Sequence, residues 1–167
     1  EPEQVRAAAI AAVVVLVVAG AILPPISLAT RLTSIGYTSV RAGVGGSVRA
    51  DTGAARLDIA DGDVHGTSRV RLRSIDFARA PRALRALPDA RVVASPLHRL
   101  DLRGSTPRRA TLVVPVPGGA ERQPYIDPYG WDGRHWRWLP VDFPTADRAR
   151  VQLDLTTFVP QWVVLTA

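Results

Sequence analysis

Residues 7–30 read AAAIAAVVVLVVAGAILPPISLAT, 24 positions without a single charge. The most apolar part, Ala7 to Leu23, is 17 residues long, and Ile26 and Leu28 carry the hydrophobicity past a Pro-Pro pair. A helix needs roughly 17–25 apolar residues to cross the hydrocarbon core of a bilayer. The β-branched Val run is no obstacle in lipid, where a lone segment satisfies its backbone groups only as a helix. Pro24 and Pro25 lack amide donors and end the regular helix near that point. The pattern predicts a tail at 1–6, a single transmembrane helix with its Pro-Pro exit at 7–30, and a folded part at 31–167. A signal peptide competes with this reading, because Arg6 precedes the apolar stretch and Ala19-Gly20-Ala21 resembles a cleavage site. Its apolar region is usually shorter than the one here. Ala8, Ala12, Ala19 and Gly20 give the span a small-residue surface that favours close helix contact. That surface supports a second expectation, a single-span accessory subunit of a larger membrane complex. Only Arg6 precedes the span while Arg31, Arg41 and Arg49 follow it, a bias that taken literally puts the folded part in the cytoplasm.

Beyond residue 31 the pattern changes to short alternating runs between turn signals. Ser47–Ala50, Ala55–Ile59 and Ser68–Leu72 alternate small or apolar residues with charged ones, the period-two pattern of a sheet with one wet face. Gly45-Gly46, Asp51-Thr52-Gly53 and Asp61-Gly62-Asp63 supply the turns. Phe77 to Leu87 is the one helix expected after the span, with Pro81 in its first turn and Pro88 closing it. Further strands are expected at Val92-Val93, Leu97–Leu102, Ala110–Val116, Trp136–Leu139, Val151–Leu155 and Trp162–Leu165. Pro115 and Pro117 bracket Val116 and mark an edge strand or a strand end. The fold class is mainly β: a transmembrane helix followed by an antiparallel β-sandwich with one short helix.

Chemistry is sparse. The chain has no Cys and no Lys, which removes thiolate nucleophiles, cysteine zinc sites and a Gly-rich phosphate loop with its lysine. His65, His98 and His135 are scattered, with no pair at metal-ligand spacing. Asp58, Asp61 and Asp63 could gather around a cation, but they lack the spacing and closing Glu of a calcium loop and read as a solvated turn. Neither catalysis nor a cofactor is expected. Tyr125, Tyr129, Trp131, His135, Trp136 and Trp138 form the aromatic concentration. We read it as a hairpin turning through Asp132-Gly133, with Trp136 and Trp138 on one face. Trp131, Trp136 and Trp138, with Arg134 and Arg137, make the candidate interaction surface. Residues 31–167 hold twenty Arg against thirteen acids, an excess of seven. Spread along several strands, they read as solvated faces rather than as a nucleic-acid site. Attraction to an anionic polymer, to lipid head groups or to an acidic partner remains open.

The strand order carries a resemblance. Gly45-Gly46 opening a strand, Leu57-Asp58-Ile59 before a turn, Ser95-Pro96, Pro107, Leu112 to Pro115, and Trp131 to Pro140 (WDGRHWRWLP) resemble the β-sandwich domain of ankyrins and netrin receptors. The likeness covers about 120 residues. With the LPPISL exit and GYTSV ahead of it, the chain is similar to the N-terminal part of membrane-anchored surface proteins of Chloroflexi type. In several of those a family-18 glycoside hydrolase domain follows. The resemblance implies a non-catalytic module outside the cytoplasm, standing between an anchor and an effector and partnered by the bilayer and by other membrane or surface proteins. It also allows a third reading, the anchoring arm of a wall-active hydrolase. Some relatives of this sandwich cut themselves at His-Phe-Ser; here the matching stretch is Thr157-Phe158-Val159, so self-cleavage is not expected.

Overall fold

A computed structural model describes residues 35–52, 55–88, 92–116, 125–145 and 148–167. The chain divides into two compact units, 1–37 and 38–167. The expected span at 7–30, with Ala8, Ala12, Ala19 and Gly20, lies outside the described residues. Among the described residues no helix is long and apolar enough to cross a membrane.

Among the described residues the second unit holds eleven strands: β1 (Thr38–Arg41), β2 (Gly46–Arg49), β3 (Arg56–Ile59), β4 (Thr67–Ile75), β5 (Leu97–Gly104), β6 (Arg109–Pro115), β7 (Asp127–Trp131), β8 (Trp136–Trp138), β9 (Val141–Thr145), β10 (Arg148–Asp154) and β11 (Trp162–Thr166). They form two antiparallel sheets, one of six strands in the order β1-β4-β5-β11-β7-β8 and one of five in the order β2-β3-β6-β10-β9. Alternation in the sequence decides which side chains enter the core. On β10, Ala149, Val151 and Leu153 are buried while Arg148, Arg150, Gln152 and Asp154 face water. On β4, Ser68, Val70, Leu72 and Ser74 are buried and the arginines between them are not. The main core joins Val40, Val70, Leu72, Leu100, Val163 and Leu165 of the larger sheet to Leu57, Ile59, Leu112, Val114, Val151 and Leu153 of the smaller.

Turn chemistry fixes the register. Gly45 sits at φ +63°, where a Cβ would lie 2.7 Å from the Ile59 carbonyl oxygen, so the β1–β2 turn demands glycine. The Asp132-Gly133 hairpin forms as expected, pairing Trp131 with Trp136 and Tyr129 with Trp138. Pro115 is the last residue of β6 and marks a strand end, since β6 lies between β3 and β10 inside its sheet.

Three expectations change. The helix expected over 77–87 is two separate 3₁₀ turns, Phe77–Arg79 and Arg82–Leu84. Pro81 disfavours the helical conformation of the residue before it, and Ala80 is extended at ψ 151°. Asp76 then caps the first turn, and the Arg85 guanidinium takes the carbonyls of Ala78 and Ala80 that a continuing helix would have used. Val92-Val93 is not a full strand. Val93 makes a single bridge to Thr166, and residues 92–94 hydrogen-bond along the end of β11, where β5 no longer reaches. Strands β1 and β9 lie outside the expected set, and β7 runs back to Asp127 from the Trp131 arm expected of the hairpin.

Candidate functional site

The larger sheet has a second apolar cluster on its outer side. Ala80 and Leu84 from the two 3₁₀ turns lie against Leu97, Tyr129 and Val164, with Ile75, Phe77, Leu87, Val93, Trp131, Trp136 and Trp162 at the margin. This strap covers only part of the face. The uncovered part begins at a row of directly paired residues crossing five strands: Arg73 opposite Arg99, Arg99 opposite Trp162, Trp162 opposite Trp131, and Trp131 opposite Trp136. With neighbouring strands about 4.8 Å apart, the row spans about 19 Å. Its halves differ in chemistry and meet at β5 and β11, where the Arg99 guanidinium carbon stands 5.3 Å over the Trp162 ring. Trp131 and Trp136 meet edge to face at 5.4 Å between centroids. The Trp136 indole nitrogen is shut from solvent with no acceptor among the described residues.

Register gathers the basic half. Antiparallel pairing of β4 with β5 sets Arg69 opposite Arg103, Arg71 opposite Asp101 and Arg73 opposite Arg99. Pairing of β1 with β4 adds Arg41, which by alternation with buried Val40 lies on the same outer face. On β1, β4 and β5 six arginines thus share the outer face with one carboxylate among the described residues, an excess of five positive charges. Asp101 holds two of them, Arg71 at 2.9 Å and Arg99 at 3.0 Å. Arg41, Arg69 and Arg73 are exposed and make no ion pair among the described residues. The outer face of the smaller sheet is more balanced, with Arg49, Arg56, Arg109, Arg148 and Arg150 interspersed with Asp58, Asp142 and Asp154. The sequence reading of dispersed arginines is therefore corrected: linear spacing hides a cluster that strand pairing assembles. Next to it, β11 pairs with β5 only as far as Arg99, leaving a cleft of about 320 Å³ lined by Arg99, Asp101, Leu102, Val159, Gln161 and Trp162.

The hairpin residues divide. Trp131 and Trp136 are half-buried in the row, and Trp138 lies farther along the same face, 56% exposed, donating its indole N–H to Asp127. Arg137 alternates to the other side of β8, where it pairs with Asp132 at 2.8 Å and stands over the Phe158 ring. Arg134 is an exposed turn residue whose backbone N–H, like that of His135, donates to the Asp132 carboxylate. Those two bonds, the His135 one first, hold the Asp132 carboxyl down at about 2. The three tryptophans thus share one face of the larger sheet, while Arg137 lies on the other side of β8 and Arg134 in the turn. Arg41, Arg69, Arg73, Arg99 and Trp162, which the sequence does not single out, lie on the same face as the tryptophans.

A separate cavity of about 590 Å³ opens between the end of β4 and the start of β5, lined by Ser74, Ile75, Phe77, Val93, Ser95 and Pro96 among others. Beside it, buried His98 meets Ser74, its Nδ1 standing 2.8 Å from Oγ. The Ser74 amide donates to the Asp51 carboxylate. His98 Nε2 has no partner among the described residues, and burial pushes the imidazole down to about 4. The expected solvated turn is instead the end of β3 followed by a turn in which Asp63 is buried, and both ends are tied to arginines, Asp58 to Arg56 and Asp63 to Arg109. No group of three or more His, Asp or Glu among the described residues could hold a metal ion. No family model and no curated protein matches the chain.

Proposed function

We propose that the chain is a membrane-anchored module whose β-sandwich stands outside the cytoplasm and works by binding rather than by catalysis. Its working surface is the uncovered outer face of the larger sheet. The observation that carries this reading is the cross-strand row, in which guanidinium groups and indole rings share one side of one sheet. A sheet face needed only for solubility has no reason to set Arg73 opposite Arg99 and Arg69 opposite Arg103, because like charges directly opposite destabilise the pair. A charged surface is suited to attracting and orienting an oppositely charged partner. The uncharged run at 7–30 would supply the anchor.

Membrane seating and sidedness are tested together with one introduced thiol, since the chain has no Cys of its own. Gln152→Cys places it on the exposed outer face of the smaller sheet, away from the proposed surface. The full chain should pellet with membranes after alkaline carbonate extraction, and a membrane-impermeant maleimide should label Cys at that position in intact cells. Extraction into the supernatant overturns the anchor, and labelling only after lysis overturns the sidedness.

A further inference from the structure

We infer that the basic half of this face is a docking surface for the anionic phospholipid head groups of the membrane that the predicted span enters. The inference rests on the anchored reading above. Charge supplies the first argument. Five positive charges in excess lie on β1, β4 and β5, and Arg41, Arg69 and Arg73 among them make no ion pair with any described residue. An arginine near an anionic lipid surface contributes roughly 1 kcal/mol, or about fivefold in binding, so three together contribute about a hundredfold. Shape supplies the second. Arg41, Arg69, Arg73, Arg99 and Arg103 stand exposed on one sheet face, which suits a lipid surface offering many phosphates at one level.

The third argument is reach. Seven residues, 31–37, separate the end of the predicted span from β1, and a fully extended chain covers at most about 3.6 Å per residue, or about 25 Å in all. The first strand after the anchor is also the strand that carries Arg41. Covalent attachment to a span would by itself give the face a high effective concentration over the same bilayer, so weak contacts suffice. The row's other half agrees with this occupant: Trp162 lies beneath Arg99, and indole rings favour the level of the head groups, where one side is apolar and the other wet.

The test uses the full chain in nanodiscs, either of phosphatidylcholine alone or of equimolar phosphatidylcholine and phosphatidylglycerol. Ser39→Cys puts a unique thiol on β1 opposite Arg69, and Gln152→Cys puts one on the other sheet. Each thiol carries a fluorophore quenched by neutral acrylamide. At 0.1 M salt, where the Debye length is about 10 Å, the position-39 fluorophore should be protected in the anionic discs only. Protection should vanish at 1 M salt, and the fluorophore at position 152 should be quenched equally in both lipids. The triple substitution R41Q/R69Q/R73Q should shift the docked fraction about a hundredfold towards undocked. Equal quenching at position 39 in the two lipids overturns the proposal. So does protection produced only by added polyphosphate in neutral discs, which would make the partner a soluble anionic polymer. Failure of the chain to co-elute with discs of either kind defeats the anchor itself, and the proposal with it. That outcome is distinguished from failed docking by co-elution alone.

Discussion

Replacing His98 by Gln should remove most of the dependence of folding stability on pH between about 5 and 7. The side chain is 1% exposed on the inner face of β5, and burial drives its value from an ordinary 6.5 down to about 4. An imidazolium would carry a proton on each nitrogen, and Nε2 has no acceptor among the described residues to receive one. Because the folded value lies below the unfolded one, the unfolded chain binds the proton first as pH falls. Stability is therefore full above pH 6.5 and drains away towards pH 4. The gap of 6.5 less about 4, at 1.36 kcal/mol per unit, amounts to about 2 kcal/mol lost by pH 5 and about 3 by pH 4.

Urea unfolding of residues 31–167, followed by tryptophan fluorescence at several pH values, measures this loss. With a slope of about 1–3 kcal/mol per molar urea, a loss of 2 kcal/mol moves the midpoint by about 1 M. His98→Gln will also lower stability at pH 7.5, since an amide fills the ring's space poorly, so the diagnostic quantity is the slope and not the level. Carboxylates do not obscure it. Asp132 is held low by backbone N–H bonds and Asp154 by the Thr156 hydroxyl, so their contributions drain only at pH values below this window. Ser74→Ala removes the Nδ1 partner but not the burial, so it should keep the slope. The reasoning fails if His98→Gln retains the parent's slope between pH 5 and 7.

Other substitutions test the architecture. Leu112→Ala, at 1% exposure between β3 and β10, should cost about 3 kcal/mol in urea titrations, and a loss below 1 would mean that this core collapses around the gap. Gly45→Ala must push a Cβ to 2.7 Å from the Ile59 carbonyl oxygen, whereas Gly62, also at positive φ, has open space around it. Thermal melts should therefore rank Gly45→Ala well below Gly62→Ala, which should cost only about 1 kcal/mol of left-handed strain. R69Q/R73Q should stabilise the sandwich by a few tenths of a kcal/mol at low salt and by nothing at 1 M, while Asp101→Asn should destabilise it because Arg71 and Arg99 lose their shared carboxylate.

Where a residue's neighbours in the chain decide its state, the sequence was readable. The alternation of β2, β3 and β4 declared a wet face and a dry one, and Asp132-Gly133 declared a hairpin. The strap was misread because Ala, Leu and Arg over 77–87 favour helix, while a single proline and the Arg85 side chain dispose of the same carbonyls another way. The extension of β7 back from Trp131 to Asp127 is hidden by composition: Asp127, Pro128 and Gly130 are poor strand formers, and they pair because β11 and β8 lie on either side. The basic cluster was hidden for a different reason. Arg69, Arg71 and Arg73 are visible as an alternating run, but their juxtaposition with Arg99 and Arg103 depends on β4 pairing with β5 across an intervening segment of 21 residues. No local signal sets that register; the inward pattern of both strands does.

That register constrains the site more tightly than composition could. A slip of one residue between β4 and β5 would turn Val70 and Leu72 outward and bury arginines, so core packing alone holds the arginines in opposition. The electrostatic cost of Arg73 against Arg99 is met partly by Asp101, placed between the two arginine pairs, and partly by the Trp162 ring beneath Arg99. Asp101 acts on Arg71 and Arg99 and the ring on Arg99 alone, which leaves Arg41, Arg69 and Arg73 with their charge directed at solvent. A surface evolved only to stay soluble would have interspersed acids there, as the smaller sheet does with Asp58, Asp142 and Asp154. The asymmetry between the two outer faces, within one sandwich and one solvent, is what supports the proposal that the larger sheet's face binds a partner.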